Sequence, residues 1–203
     1  RLLADDFRTA GRAVRLLFRL LRRNPGDAQS LTTLAGVRWA ARDFPEALHL
    51  YRLAACAADK NEACAATYFN ACRQLNQAEE GLAFLRRRVE SFGHLSAAPW
   101  TTLSDSLGEL LRSGESLAVV REGRAKRPDD GALILLESSL LRTSGDFDGT
   151  AALLAQARGL VPDHDWQRHA AWLAQSRGAP AEAMRHWQAV LASEPLAMDA
   201  HEN

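Results

Sequence analysis

Residues that stop helices recur along this chain at an almost constant interval. Pro25, Asp59, Gly93, Pro128, Pro162 and Pro195 are separated by 34, 34, 35, 34 and 33 residues. Proline removes a backbone donor, glycine costs conformational entropy and aspartate favours caps, so a helix is expected to end at each position. A period of this length indicates one small helical unit stacked many times, which limits the fold more than any other feature of the chain.

Each interval also contains a small side chain followed by a large one. Twelve residues before each stop the chain has Ala13, Ala47, Gly81, Ser116, Thr150 and Ala183, and four residues later it has Leu17, Tyr51, Leu85, Val120, Leu154 and Trp187. Residues at i and i+4 share one face of a helix. A small residue beside a bulky one lets a second helix approach closely and interlock. We therefore expect one close contact between helices in every repeat.

The segments between the stops read as helices. Alternating β-branched runs with hairpin turns are nearly absent, whereas apolar periodicity of helical type extends over segments of about 13 to 15 residues. Helices this short cannot bury their apolar faces alone and must stack on their neighbours. We predict a single array over residues 1–203, with a truncated repeat beginning at 196–203. The expected helix pairs lie at about 2–24 (divided at Gly11 into helices 2–10 and 12–24), 28–58, 62–92, 97–127, 131–160 and 164–193.

Two segments fit a known repeat best. The signature positions of the first segment are held by Leu31, Leu34, Ala35, Ala47, Tyr51 and Ala54, with a turn at Asp43 and Phe44. Those of the second are held by Gly145, Phe147, Leu154 and Ala157. Because of these residues and the 34-residue period, the chain resembles the tetratricopeptide repeat (TPR) family over nearly its whole length. The resemblance implies an all-α, right-handed α-solenoid of about six helix–turn–helix tetratricopeptide repeats. Phe69 and Arg88 stand where the family has small residues, and Glu137 and Gln167 stand where it has apolar ones. The segment 62–93 therefore departs from the register of the family.

Composition and motifs exclude several classes of function. The 25 Lys and Arg balance 25 Asp and Glu, which argues against a nucleic-acid partner. No nucleotide-binding, hydrolase or zinc-protease motif occurs, and three cysteines without a CxxC pair favour neither disulfides nor zinc. We therefore predict no catalytic residue, no metal, no cofactor and no membrane span. Abundant Ala and Arg suggest a bacterial source, and a cytoplasmic location is expected, although a signal peptide removed from a longer chain is compatible with this sequence.

Arginine dominates the beginning of the chain. The first 23 residues carry seven Arg against two Asp, with leucines on the other side of the predicted helix. A basic amphipathic helix of this kind can lie on an anionic membrane. The solvated face of a helix packed into the array is the favoured interpretation.

The resemblance also implies where a ligand would bind. In TPR proteins the first helix of each pair lines the concave face, and in this chain the corresponding residues include Trp39, Asn70, Arg73, Thr101, Asp105, Arg142, Arg168 and Trp172. Aromatic side chains anchor interfaces, and arginines pair with carboxylates. We predict a non-catalytic protein–protein interaction module that binds a peptide or partner protein in this groove. Two alternatives stay open: a substrate-binding or regulatory arm of a larger enzyme such as a glycosyltransferase, and self-association through exposed terminal repeats.

Overall fold

The computed structural model describes the backbone of residues 2–202 and the side chains of residues 11–200. Within the described backbone there is no strand, and the predicted all-α class is confirmed. The helices are α1 (Leu2–Arg23), α2 (Ala28–Ala40), α3 (Phe44–Ala57), α4 (Glu62–Gln74), α5 (Ala78–Phe92), α6 (Ala98–Glu109), α7 (Ser113–Lys126), α8 (Gly131–Thr143), α9 (Phe147–Ala157), α10 (Asp163–Ser176), α11 (Pro180–Ser193) and α12 (Met198–Glu202). From α2 to α11 their ends lie within a few residues of the predicted ones. Arg1 and Asn203, the two ends of the predicted array, lie outside the described residues.

The first helix differs from the prediction. In place of helices 2–10 and 12–24, α1 is one helix of 22 residues that runs through Gly11. A single glycine costs a helix only about 1 kcal/mol relative to alanine. Neither a proline nor a capping residue follows Gly11, so nothing at this position is strong enough to stop the helix.

The turn inside each helix pair from α2 to α11 has the same backbone. One residue of each turn adopts a positive φ, and these residues are Arg42, Asn76, Leu111, Gly145 and Gly178. The residue that follows donates its N–H to a carbonyl five residues earlier, as when Asp43 donates to Arg38 and Gln77 to Cys72. This arrangement satisfies the last carbonyls of the first helix and reverses the chain. Glycine is the usual residue there, but three of the five turns lack it.

Several helices begin with a side-chain cap, but one predicted cap is wrong. The carboxylates of Asp27, Asp130 and Asp146 and the amide of Asn61 each accept a backbone N–H in the first turn of a helix. Asp43 also precedes a helix, and the sequence pattern with Glu46 predicts a capping box. Its side chain makes no capping bond, and α3 begins at Phe44 with Pro45 in its first turn.

Residues 1–91 form one compact unit. Its first core consists of Leu17, Leu31, Leu34, Ala35, Leu50 and Ala54, which join α1, α2 and α3. Farther along, α4 and α5 touch at the predicted small position: a Cβ added to Gly81 would lie 3.0 Å from the ring and 3.2 Å from the Cα of Phe69. The missing Cβ of Gly81 makes room for Phe69, which explains why this repeat tolerates a phenylalanine where the family has a small residue.

Arg88 is the second unexpected residue of this unit, and it is buried. Its guanidinium lies 2.6 Å from Glu62 Oε1, and it donates to the backbone carbonyls of Ala55 and Asp59 at 3.0 and 2.7 Å. Those carbonyls belong to the end of α3 and the turn that follows it, where backbone acceptors lack helical partners. An arginine therefore links α5 to the start of α4 and the end of α3.

Residues 92–203 form the other compact unit, and two of its apolar clusters lie on α8 to α12. One includes Ile134, Leu153 and Leu154, and the other includes Trp187 and Val190. The small residues of α7 and α9 lie against the preceding helix. Ser116 Oγ donates to the carbonyl of Ser104 at 3.1 Å. Thr150 Oγ1 lies 3.3 Å from the carbonyl of Ser138 and makes its shorter hydrogen bond, at 2.6 Å, to the carbonyl of Asp146. Both small residues are about 1% exposed, so the expected close contact is present in these pairs.

Glu137, which stands where the family has an apolar residue, is buried between two cations. Its carboxylate pairs with Arg121 and Arg124 of α7. Gln167 instead accepts a hydrogen bond from His186 Nδ1 at 2.7 Å. Both polar residues are kept at these positions by specific partners on a neighbouring helix.

Candidate functional site

Three of the predicted ligand residues lie in the first unit, on α2 and α4. The Trp39 ring meets Phe44 edge-on, with ring centroids 5.0 Å apart, and is tilted against Tyr51 at 6.4 Å. A small cavity of about 140 Å³ opens beside it and is also lined by Asn70. The structure thus brings Trp39 and Asn70 to one cavity, and we refer to it as the Trp39 cavity; its other lining residues are Tyr51, Thr67, Ala71 and Gln74.

Arg73 orients the amide of Asn70. Its Nη2 donates to Asn70 Oδ1 at 3.2 Å, one turn earlier on α4. The bond fixes Oδ1 as the atom that faces Arg73, and the Nδ2 of the same amide can donate to a ligand. A backbone carbonyl of an extended peptide is an acceptor that suits it.

Two more predicted residues lie together in the second unit. Trp172 on α10 is half-buried, and its ring meets the buried Trp187 edge-on at 5.9 Å. The Arg142 guanidinium on α8 lies 6.0 Å from the centre of the Trp172 ring and donates to Ser176 Oγ at 3.3 Å. Among the described residues no carboxylate pairs with Arg142.

His169 completes this group. Its ring meets Trp172 edge-on at 5.2 Å, and its Nδ1 lies 3.3 Å from Ser139 Oγ. Burial lowers the pKa of His169 to about 4, with Arg142 and Arg168 acting in the same direction and Asp165 opposing them. The imidazole is therefore neutral at pH 7. We refer to Arg142, His169 and Trp172 as the Trp172 patch, a surface with an aromatic ring and one positive charge that no described carboxylate balances.

Arg168 is predicted to contact a ligand, but its guanidinium is surrounded by three carboxylates of this chain. Its three guanidinium nitrogens bond to Asp165, Glu194 and Asp199 at 3.1, 2.9 and 2.6 Å. These bonds connect α10 with the residues that follow α11 and with α12. Because every nitrogen already has a carboxylate, Arg168 serves the fold here, and we leave it out of the candidate site.

Thr101 and Asp105 lie on α6, apart from the Trp172 patch in sequence but in the same unit. The Thr101 hydroxyl donates to the carbonyl of Ala97 at 3.3 Å and is thus used within its own helix. Asp105 is exposed, and its pKa is raised by partial desolvation and then by the charge of Glu109 on the next turn. Asp105 presents a negative group to any ligand that reaches this helix.

The sequence did not indicate the part that two residues take in these sites. His169 carries no signal of a binding role, and only the approach of α8 and α10 brings it to Ser139. Tyr51 was identified as a large residue of the helix contact, whereas its edge also lines the Trp39 cavity. In the described part of the chain, no group of His, Cys, Asp and Glu side chains has the arrangement of a metal site, and no helix is long and apolar enough to cross a membrane.

Proteins of known structure share this arrangement of helices. No protein-family model matches the sequence, and no curated protein matches it. Solved structures do: TTC0263, a thermophilic TPR protein in Thermus thermophilus, superposes with a TM-score of 0.61 at 19% identity, over 86% of this chain and 95% of that one. This chain has the tetratricopeptide-repeat fold.

Other TPR-fold structures are similar at comparable levels. PilW, a widely conserved type IV pilus biogenesis factor, gives a TM-score of 0.59 at 12% identity over 99% of this chain and 93% of its own. YrrB, a TPR protein with an unusual peptide-binding site, gives 0.52 at 14% identity over 92% of this chain and 96% of its own. The suggested TPR resemblance is thus confirmed for the fold.

Proposed function

We propose that this TPR-fold chain is a non-catalytic module that binds a peptide segment of a partner protein, and that the Trp172 patch is its contact in the second unit. The observation that carries the proposal is a half-buried tryptophan beside an arginine that no described carboxylate neutralises. Tryptophan and arginine are among the residues most enriched at the energetic centres of protein interfaces.

The patch is held in place before any ligand arrives. Trp187 and His169 each meet the Trp172 ring edge-on, and Ser176 holds the Arg142 guanidinium. A ligand would therefore lose little affinity to ordering of these side chains. The neutral state of His169 leaves Arg142 as the positive group of the patch.

The chemistry of the patch defines the ligand class. An apolar side chain would lie on the open part of the Trp172 ring, and a carboxylate next to it would pair with Arg142. Asp105 on α6 would favour a basic residue elsewhere in the ligand. We therefore propose a peptide that carries an acidic group beside a bulky apolar residue.

The Trp39 cavity supports the same function in the first unit. Its volume of about 140 Å³ suits a small side chain, and Asn70 Nδ2 would donate to a peptide carbonyl beside it. YrrB, which has this fold, is described as having a peptide-binding site. That description supports peptide binding as the function of a chain built in this way.

The experiment is a selection from a phage-displayed library of random peptides. The selected peptides are then labelled with a fluorophore, and their affinity for the chain is measured. Arg142→Glu reverses the charge of the patch, and Trp172→Ala removes its ring. Arg185→Glu is the matched control, because Arg185 is exposed on α11 and donates to the carbonyl of Ala181 in its own helix. Circular dichroism confirms that each variant keeps its helicity.

We expect acidic peptides with an apolar residue to be enriched. Arg142→Glu and Trp172→Ala should each weaken their binding about tenfold or more, whereas Arg185→Glu should leave it within about twofold. Enrichment of peptides whose affinity does not depend on Arg142 or Trp172 would move the site elsewhere. A library that yields no binder would argue against peptide recognition.

A further inference from the structure

The described part of α1 divides its circumference into two continuous sectors. Residues 11–23 include five arginines and no acidic residue. At 3.6 residues per turn, these arginines fall within an arc of about 100°, and apolar side chains with Gly11 fill the rest. The arginines are Arg12, Arg15, Arg19, Arg22 and Arg23.

Burial shows how the unit orients this helix. Leu17, at the middle of the apolar sector, is 9% exposed and belongs to the core, with Val14 and Leu21 packed against it. All five arginines are exposed as a consequence. The helix is therefore fixed with its basic sector directed away from the core of its own unit.

Large apolar side chains flank the arginines on both sides. Leu16 and Leu20 lie at one border and are 56% and 50% exposed, and Phe18 lies at the other border and is 46% exposed. We refer to the five arginines with these three side chains as the α1 basic face. Among the described residues, no carboxylate forms an ion pair with any of the five arginines.

We propose that the α1 basic face binds an anionic lipid surface. A helix at a membrane interface combines arginines, which attract acidic headgroups, with leucine or phenylalanine side chains that enter the boundary of the acyl chains. Both components are present here on one exposed side of the helix, and the cavity and patch described above lie on other helices. The helix lies along the surface and does not cross it.

The apolar flanks favour lipid over other anionic partners. Nucleic acid would be held by the arginines through its phosphates and would leave Leu16, Phe18 and Leu20 in water. An acidic protein could cover both components, but it would need an apolar surface of matching shape beside its carboxylates. A lipid surface adapts to the side chains that enter it. This inference concerns a surface separate from the Trp172 patch and does not depend on peptide binding.

The test is partitioning of the 203-residue chain onto vesicles, measured by co-sedimentation. One vesicle is phosphatidylcholine with about 30% phosphatidylserine, and the other is phosphatidylcholine alone. The charge variant is Arg15→Gln/Arg19→Gln/Arg22→Gln. The apolar variant is Leu16→Ser/Leu20→Ser. The matched control, Arg52→Gln/Arg158→Gln/Arg185→Gln, removes three exposed charges from other parts of the chain.

We expect binding to the acidic vesicle and little binding to the neutral one. Each arginine that approaches the surface contributes about fivefold, so the charge variant should bind about 100-fold more weakly than the unaltered chain. The apolar variant should lose about tenfold, since two half-exposed leucines no longer enter the boundary. The control should bind as the unaltered chain does, and all variants should keep the same circular dichroism spectrum.

Three outcomes would overturn the proposal. Absence of binding to the acidic vesicle would remove lipid as the partner. Equal losses in the charge variant and the control would mean that overall charge drives the association and that α1 has no special part. Loss in the charge variant with none in the apolar variant, together with equal binding to a duplex DNA probe, would assign the face to polyanions in general.

Discussion

The buried ion pair of the first unit leads to a specific prediction about stability. Arg88 is 5% exposed and Glu62 is 13% exposed, with their nearest atoms 2.6 Å apart. Replacing one partner of a buried pair leaves the other charge uncompensated, at a cost of about 3–5 kcal/mol. Arg88→Met also removes the donors to the carbonyls of Ala55 and Asp59, while the methionine side chain keeps part of the apolar contact. We expect Arg88→Met to lower the free energy of unfolding by about 3–4 kcal/mol.

A double-mutant cycle separates the ion pair from the hydrogen bonds to the backbone. Glu62→Gln alone should cost about 2 kcal/mol, because the guanidinium of Arg88 keeps its bonds to the carbonyls of Ala55 and Asp59 but loses its counter-charge. Once Arg88 is methionine, however, Glu62→Gln removes an unpaired charge. We therefore expect the double variant to be at least as stable as Arg88→Met alone, which corresponds to a coupling energy of about 2 kcal/mol or more.

Urea unfolding followed by circular dichroism measures the free energy of unfolding of the unaltered chain, the two single variants and the double variant. Arg87→Met is the control, since Arg87 is the preceding residue of the same helix, is exposed and donates to the carbonyl of Ala83. It should change the free energy of unfolding by less than about 0.5 kcal/mol. The reasoning fails if Arg88→Met costs no more than this control, or if the effects of the Arg88 and Glu62 substitutions simply add.

Three further predictions concern a turn, a helix contact and a histidine. Leu111→Gly should raise the free energy of unfolding by about 0.5–1 kcal/mol, because Leu111 is 89% exposed at a φ of 59° that glycine adopts without strain. Gly81→Ala should lower the free energy of unfolding by about 1–3 kcal/mol, because the new Cβ meets Phe69. Gly108→Ala should raise it slightly, because no atom lies within 4 Å of the new Cβ. Thermal melts compare the two variants. The folded-state pKa of His169 is about 4 and its ordinary value is 6.5, so the unfolded chain takes up the proton first. Stability should therefore fall by up to roughly 3 kcal/mol as the pH drops from about 6.5 to 4, and denaturant titrations of His169→Gln should lack this part of the slope.

The predictions from sequence were most accurate where a local rule decides the structure. Pro128 and Pro195 lie in the turns that follow their helices, because a missing N–H acts within one turn. The prediction at Gly11 was wrong for a related reason, since a lone glycine weakens a helix without ending it. The same limit applies to Asp43, whose residue type suits a cap although its side chain makes no capping bond.

The candidate site was predictable in part. Trp172 and Arg142 were both assigned to one face from the repeat register, and the structure brings them within cation–π distance. The repeat register says nothing about partners, so it could not show that Arg168 is fully paired with Asp165, Glu194 and Asp199. The carboxylates of Glu194 and Asp199 belong to segments that meet α10 only after the chain has folded.

The sequence by itself determined the helical class, the 34-residue period and the small position at which two helices of a repeat touch. These features follow from backbone sterics and from the 3.6-residue turn, which act on neighbouring residues. Only the tertiary structure decided which charged groups are neutralised. Arg88 and Arg168 resemble Arg142 in the sequence, yet carboxylates from distant parts of the sequence pair with the first two and leave Arg142 beside Trp172. Electrostatic partners are set by distance in space, and that distance exists only in the folded chain.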